Sequence, residues 1–157
     1  MMRTIDRLQM KALPERVFQL ATEVEQWPRL LGHYRWVRML ERRGNGGLVE
    51  MAAWRPFGWL KYPTWWVSEM RIDPEAKVVH YRHVRGITAG MEVAWELQPV
   101  EGGTSVSIVH DWGGPDWPLV GRPAASWVIG PVFVHGIARR TLAGIARHAE
   151  GGRRVGR

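Results

Sequence analysis

Residues Pro131–Ala149 read P-V-F-V-H-G-I-A-R-R-T-L-A-G-I-A-R-H-A. Val134, Ile137, Ala138, Thr141, Leu142 and Ile145 recur at helical spacing, and Arg139, Arg140, Arg147 and Glu150 fall on the remaining arc. One apolar stripe therefore runs beside a basic one. Pro131 suits the first turn of a helix and Gly151-Gly152 suits its end. The helix is expected to start between Pro123 and Pro131, with a kink at Pro131 if it starts early. Too little chain follows to cover the stripe, so the stripe must lie on what the preceding residues build. Those residues read mostly as strands, which predicts a long last helix held by a sheet, with Ile137 and Ile145 buried against it.

The strands follow from alternation and turn chemistry. Residues 3–11 read as a first strand. Pro14 and Glu15 open a helix with Val17, Phe18, Ala21 and Val24 on one face, and Trp27-Pro28 is expected to break it. Residues 29–33 suit a short second helix. Tyr34–Arg43 and Leu48–Arg55 flank Gly44-Asn45-Gly46-Gly47, a strong hairpin signal. Leu60–Ile72, Lys77–Arg85, Met91–Val100 and Thr104–Trp112 follow, joined by turns at Asp73-Pro74-Glu75, Gly86–Gly90 and Glu101-Gly102-Gly103. Met91, Val93, Trp95 and Leu97 share one face, and Glu92, Ala94 and Glu96 the other, as in a sheet with one wet face. Gly113–Arg122 reads as a loop. The order is strand, two helices, six strands, one long helix, which predicts an antiparallel meander curved around that helix, with a cavity between them.

Composition limits the function. The 157 residues suit one domain, spanning 1–150, with a basic and disordered tail at 151–157. No window approaches the roughly 18 consecutive apolar residues of a membrane span, and no apolar run follows the charged N-terminus, so neither an integral membrane protein nor a secretory signal is expected. The chain contains no cysteine, which excludes thiolate chemistry and fits a cytoplasmic location. A net charge of +7 raises the question of nucleic acid, but the arginines are scattered apart from the tail, and no zinc-finger spacing or aromatic RNA-binding signature is present; no nucleic-acid partner is expected. A homodimer remains open.

Ten tryptophans are unusual for this length. They bury large flat surfaces while each keeps one N–H donor. A packed aromatic core and a cavity for a flat apolar ligand explain them equally well from the sequence.

Thr22–Tyr34 (T-E-V-E-Q-W-P-R-L-L-G-H-Y), Arg85–Trp95 (R-G-I-T-A-G-M-E-V-A-W) and Val100–Thr104 (V-E-G-G-T) occur in an order and at a spacing that resembles the START/Bet v 1-like (SRPBCC) superfamily. The likeness is strongest to its polyketide aromatase/cyclase branch and covers roughly residues 3–150. It implies an α+β helix-grip fold of about six to seven antiparallel strands. It implies a hydrophobic, polycyclic or polyketide/lipid-like small-molecule ligand, or alternatively an aldol ring closure in the same cavity. By the resemblance, Tyr34 stands at a pocket tyrosine, Trp95 at a pocket tryptophan, Trp66 at an aromatic of the fourth strand and Arg82 at a basic residue of the fifth. The family's ring-closing arginine aligns with Met70.

An aldol cyclisation needs a base, a donor for the enolate and a template for the chain. Tyr34 and Arg82 are the candidate donors and the tentative catalytic residues. Strand parity joined to the resemblance predicts Trp66, Met70, Trp95 and His110 lining the cavity, Tyr34 near its mouth, and Arg82 and Trp112 among the ligand contacts. His110 reads as a proton carrier or a satisfied core histidine. His80 and His83 sit on opposite faces of a strand and no H-E-x-x-H occurs, so no metal is expected; without a Walker loop or G-x-G-x-x-G, no cofactor is expected either. An interaction module, the remaining class, would leave the cavity filled, whereas a continuous void of about a few hundred Å³ under the last helix would separate ligand binding from it.

Overall fold

A computed structural model describes residues 2–57, 60–86, 88–113 and 130–155. β1 (Met2–Met10) leads into α1 (Pro14–Thr22), a 3₁₀ turn (Val24–Gln26) and α2 (Trp27–Leu30). Then come β2 (Tyr34–Arg42), β3 (Gly46–Phe57), β4 (Leu60–Asp73), β5 (Val78–Gly86), β6 (Glu92–Val100) and β7 (Gly103–Trp112). The last element is α3 (Gly130–Val155). The seven strands form one antiparallel sheet in the order β1-β7-β6-β5-β4-β3-β2. The first strand, β1, is the exception to the meander: the helices carry the chain across, so that β1 pairs with β7.

Three register shifts curve the sheet. Two lie between β2 and β3, and one lies between Val67 and Ser68 where β4 meets β5. Bulges of this kind bend a strand and increase its twist. Gly86 faces the β4–β5 break with φ at +99°, and a Cβ there would strike the Trp65 carbonyl; only glycine lets the two backbones approach so closely.

The concave face holds the core. β6 shows the predicted alternation, with Met91, Val93, Trp95 and Leu97 buried and Glu92 and Glu96 exposed. α1 adds Val17, Leu20 and Ala21. Trp27–Pro28 does not break α1, which already ends at Thr22; it opens α2, where a proline in the first turn forfeits no helical hydrogen bond. Trp27 is buried and its Nε1–H donates to the Leu20 carbonyl at 2.9 Å, tying α2 back to α1.

α3 lies across the concave face. Ala138, Thr141, Leu142, Ile145, Ala146 and Ala149 are buried. Ile145 is fully covered, whereas Ile137 is half-buried, packing against the edge of the core and also bordering a cavity. Pro131 is the second residue of α3 as described, and the expected start between Pro123 and Pro131 falls, before Gly130, outside the described residues. The C-terminal end differs: α3 runs through Gly151 and Gly152 to Val155. Glycine weakens a helix by about 1 kcal/mol per residue but does not forbid it, and Gly151 does not adopt the left-handed conformation that would end one. Polar ties fix α3 at several points: His135 Nδ1 to Asp6 Oδ1 at 2.7 Å, the Lys11 amide to Glu150 at 3.3 Å, and His148 Nε2–H to the Leu30 carbonyl at 2.8 Å. No helix among the described residues is long and apolar enough to cross a membrane. The expected loop at 113–122 falls, beyond Gly113, outside the described residues.

Candidate functional site

Between the concave face and α3 lies a cavity of about 70 Å³. The sheet supplies Met51, Trp66, Tyr81, Val93, Trp95, Ile108 and His110; α2 supplies Trp27, α3 supplies Ile137, Ala138 and Thr141, and Tyr34, His83, Thr88 and Met91 complete the described lining. Its aromatic wall is continuous. Trp27 lies edge-on to Tyr34 with ring centroids 5.1 Å apart and is tilted against Trp95 at 5.7 Å. Tyr34 meets Trp66 edge-on at 6.3 Å, and Trp66 lies parallel to the His83 ring at 5.7 Å. These are the offset and edge geometries that aromatic pairs favour.

A few polar groups interrupt this wall. His83 Nδ1 bonds Thr88 Oγ1 at 2.6 Å. Thr141 donates to the Ile137 carbonyl at 2.8 Å, lies 3.0 Å from His33 Nε2 and stands 3.4 Å from the Tyr34 hydroxyl. The Tyr81 hydroxyl and His110 Nδ1 are sealed from solvent, without a partner among the described residues. Burial lowers His83 and His110 to about 3. It also lowers His33 to about 4, with Arg140 and Arg147 adding to the effect. Burial pushes the Tyr34 phenol up to about 12, against the opposing Thr141 bond, and drives the Tyr81 phenol upward as well. At neutral pH the polar groups of the cavity are therefore all uncharged.

Of the residues singled out in the sequence, Tyr34, Trp66, Trp95 and His110 meet in this lining. Tyr34 is inside, not at the mouth: it is buried among Trp27, His33 and Trp66. Met70 and Trp112 are buried on the same face but pack into the core away from the cavity; the Trp112 indole donates to the Ala89 carbonyl at 3.3 Å. Arg82 is exposed on the opposite face of the sheet. Alternation along β5 puts Val79, Tyr81 and His83 inward, and so Arg82 outward. That alternation was the available signal for Tyr81 and His83, which a match to a basic family position obscured. Trp27, Met51, Thr88 and Thr141 carry no sequence signal that separates cavity from core. Arg82 instead borders a wide trough of about 930 Å³ on the outer face, with Arg43, Glu69, Arg71, Glu92 and Asp111. The trough is larger than the cavity, but its mixed charges and exposed strands make it the ordinary wet side of the sheet. Among the described residues no group of three His, Asp or Glu is placed to share a metal ion.

A seven-stranded antiparallel sheet curved around a C-terminal helix, with a cavity between them, is the helix-grip fold of Bet v 1-like proteins and aromatase/cyclases. The chain belongs to the polyketide cyclase/dehydrase and lipid transport family, whose model matches residues 10–129. It is 28% identical over 116 residues to the actinorhodin polyketide synthase bifunctional cyclase/dehydratase of Streptomyces coelicolor. That match covers 73% of this chain and 35% of the relative, so the chain spans about a third of that protein's length. Among solved structures it is similar to TTHA0849 of Thermus thermophilus, with a TM-score of 0.81 at 18% identity over 96% of this chain and 99% of that one. It is also similar to the Zhui aromatase/cyclase of Streptomyces sp. R1128, with a TM-score of 0.75 at 16% identity over 95% and 93%. At these identities the two likenesses are of fold.

Proposed function

We propose that this protein binds a hydrophobic, flat, polycyclic or polyketide/lipid-like small molecule between the sheet and α3. The observation that carries the reading is the continuous aromatic wall of Trp27, Tyr34, Trp66 and Trp95 around a space that no side chain fills. At about 70 Å³ the space suits a few waters, whereas ligand sites typically measure about 300–1,000 Å³. Binding of a larger ligand therefore includes an outward shift of α3 near Ile137, which borders the cavity.

The test is mass spectrometry of small molecules that co-purify under non-denaturing conditions, with titration of polycyclic phenols followed by tryptophan emission. Saturable quenching with a Kd in the micromolar range or tighter, about −8 kcal/mol, is the expected result. Absence of both a co-purifying molecule and saturable quenching refutes the reading.

Ring closure is the second reading, and the cyclase/dehydratase relative favours it. Tyr34 is its remaining candidate donor. Met70 stands where the family resemblance calls for an arginine, and a thioether cannot stabilise an enolate. Loss of one aimed donor costs about 10²–10³ in rate, so wild type is expected to turn over a poly-β-ketone slowly at best. Efficient cyclisation by wild type would establish the enzyme reading instead.

A further inference from the structure

Two polar atoms of the cavity serve no purpose within the fold. The Tyr81 hydroxyl and His110 Nδ1 both belong to side chains that line the cavity, both are sealed, and neither has a hydrogen-bond partner among the described residues. Buried polar atoms are nearly always paired, and leaving one unpaired costs free energy. The neighbouring polar groups obey that rule: His83 and Thr88 satisfy each other, and Thr141 reaches the Ile137 carbonyl.

The register fixes how these two atoms are arranged. Tyr81 pairs with Val93, and Val93 with His110, so the three form one row across β5, β6 and β7 on the concave face. Tyr81 and His110 are two strand spacings apart, about 10 Å between backbones. A single ligand atom cannot serve both, whereas a flat molecule lying along the row can offer a group to each end. No lysine, arginine or carboxylate is among the described lining residues. An anion placed here would leave water with no opposite charge to meet it.

We propose that Tyr81 and His110 determine the specificity of the cavity: they select a neutral flat ligand with a hydroxyl or carbonyl group on each of two opposed edges, and the cavity rejects carboxylate-bearing lipids. This rests on the ligand-binding reading above. His110, held neutral by burial, offers a hydrogen bond and no ion pair at pH 7. Tyr81 keeps its proton and can donate to a carbonyl or accept from a hydroxyl.

The experiment is calorimetric titration at pH 7.5 with four probes: naphthalene, β-naphthol, a naphthalenediol with hydroxyls on opposite edges, and β-naphthoate. Each added hydroxyl should tighten binding by about three- to tenfold, and β-naphthoate should bind at least about tenfold more weakly than β-naphthol. In Tyr81→Phe and in His110→Leu, the ratio of diol to naphthalene affinity should fall by about the factor that one hydroxyl contributes; if one variant fails to fold, the ratio in the other decides. Equal affinity for naphthoate and naphthol, or an unchanged ratio in the folded variant, overturns the selectivity and leaves cavity binding intact. Failure of all four probes to bind overturns both.

Discussion

The buried histidines make the fold acid-sensitive by an amount that can be worked out. His83 and His110 are lowered from 6.5 to about 3, chiefly by burial, with His110 acting on His83 and His135 on His110. In the unfolded chain each takes up a proton near pH 6.5; in the folded protein each resists until about pH 3. Between those values the unfolded state binds more protons, so stability falls as pH falls. At pH 5 each histidine has forfeited about 2 kcal/mol relative to pH 7.5, and the two together about 4 kcal/mol. His33, lowered to about 4, acts in the same direction. Ordinary carboxylates remain mostly ionised at pH 5, so the window from pH 7.5 to 5 isolates the histidines. Since domains are commonly stable by only about 5–15 kcal/mol, the effect is a large part of the whole. Urea unfolding at the two pH values measures it. His83→Gln and His110→Gln should each reduce the pH-dependent loss by about 2 kcal/mol, whatever the variant does to stability at pH 7.5. A wild-type difference below about 1 kcal/mol, or an undiminished difference in both variants, would refute the argument that these rings are buried neutral.

Three further outcomes are expected. Ile145→Ala removes a fully covered side chain beneath α3 and should cost about 2–5 kcal/mol in urea unfolding; Ile137→Ala, at a half-buried position on the cavity, should cost less. Arg82→Ala should change stability by less than about 0.5 kcal/mol and leave ligand affinity unchanged, because Arg82 lies on the outer face; a loss of binding in tryptophan quenching would mean that the outer trough takes part. Gly86→Ala should destabilise by more than about 2 kcal/mol, since it combines a positive φ with a collision against the Trp65 backbone. Gly102→Ala, at φ +82° with open space around it, should cost only about 1 kcal/mol, and equal losses at the two sites would show that the close approach at Gly86 is of no consequence.

The fold was legible because its signals are local. Glycine-rich turns and period-two alternation give the strand order, and a 3.6-residue stripe gives the last helix; each strand lies within about two residues of its expected bounds. The missed boundaries arose where local signals conflict with packing. Trp27-Pro28 reads equally as a stop and as a start, and the Leu20 carbonyl waiting for the Trp27 indole decides for the start of α2. Gly151-Gly152 reads as a stop, yet α3 continues. The site was half legible. Parity correctly put Trp66, Trp95 and His110 on one face, and the same parity applied to β5 yields Tyr81 and His83. Separating cavity from core on that face is a different matter. Met70, Trp112 and Trp66 are all buried on the inward face, yet only Trp66 borders the cavity, and alternation alone does not distinguish them.

The burial that builds this cavity also bears on its chemistry. A general base works best with a pKa near the operating pH, and a general acid likewise. Here the histidines are held near 3 or 4, the Tyr34 phenol is raised to about 12, and burial drives the Tyr81 phenol upward as well. At neutral pH every one is in the uncharged form that suits hydrogen bonding, yet the histidines are poor bases and the phenols poor acids. Such groups suit the proposed hydrogen bonding to carbonyl and hydroxyl groups better than they suit proton transfer. The described lining also holds no lysine, arginine or carboxylate. The same physics therefore supports binding twice, by providing neutral partners for polar edges and by withholding the acid and base that ring closure needs.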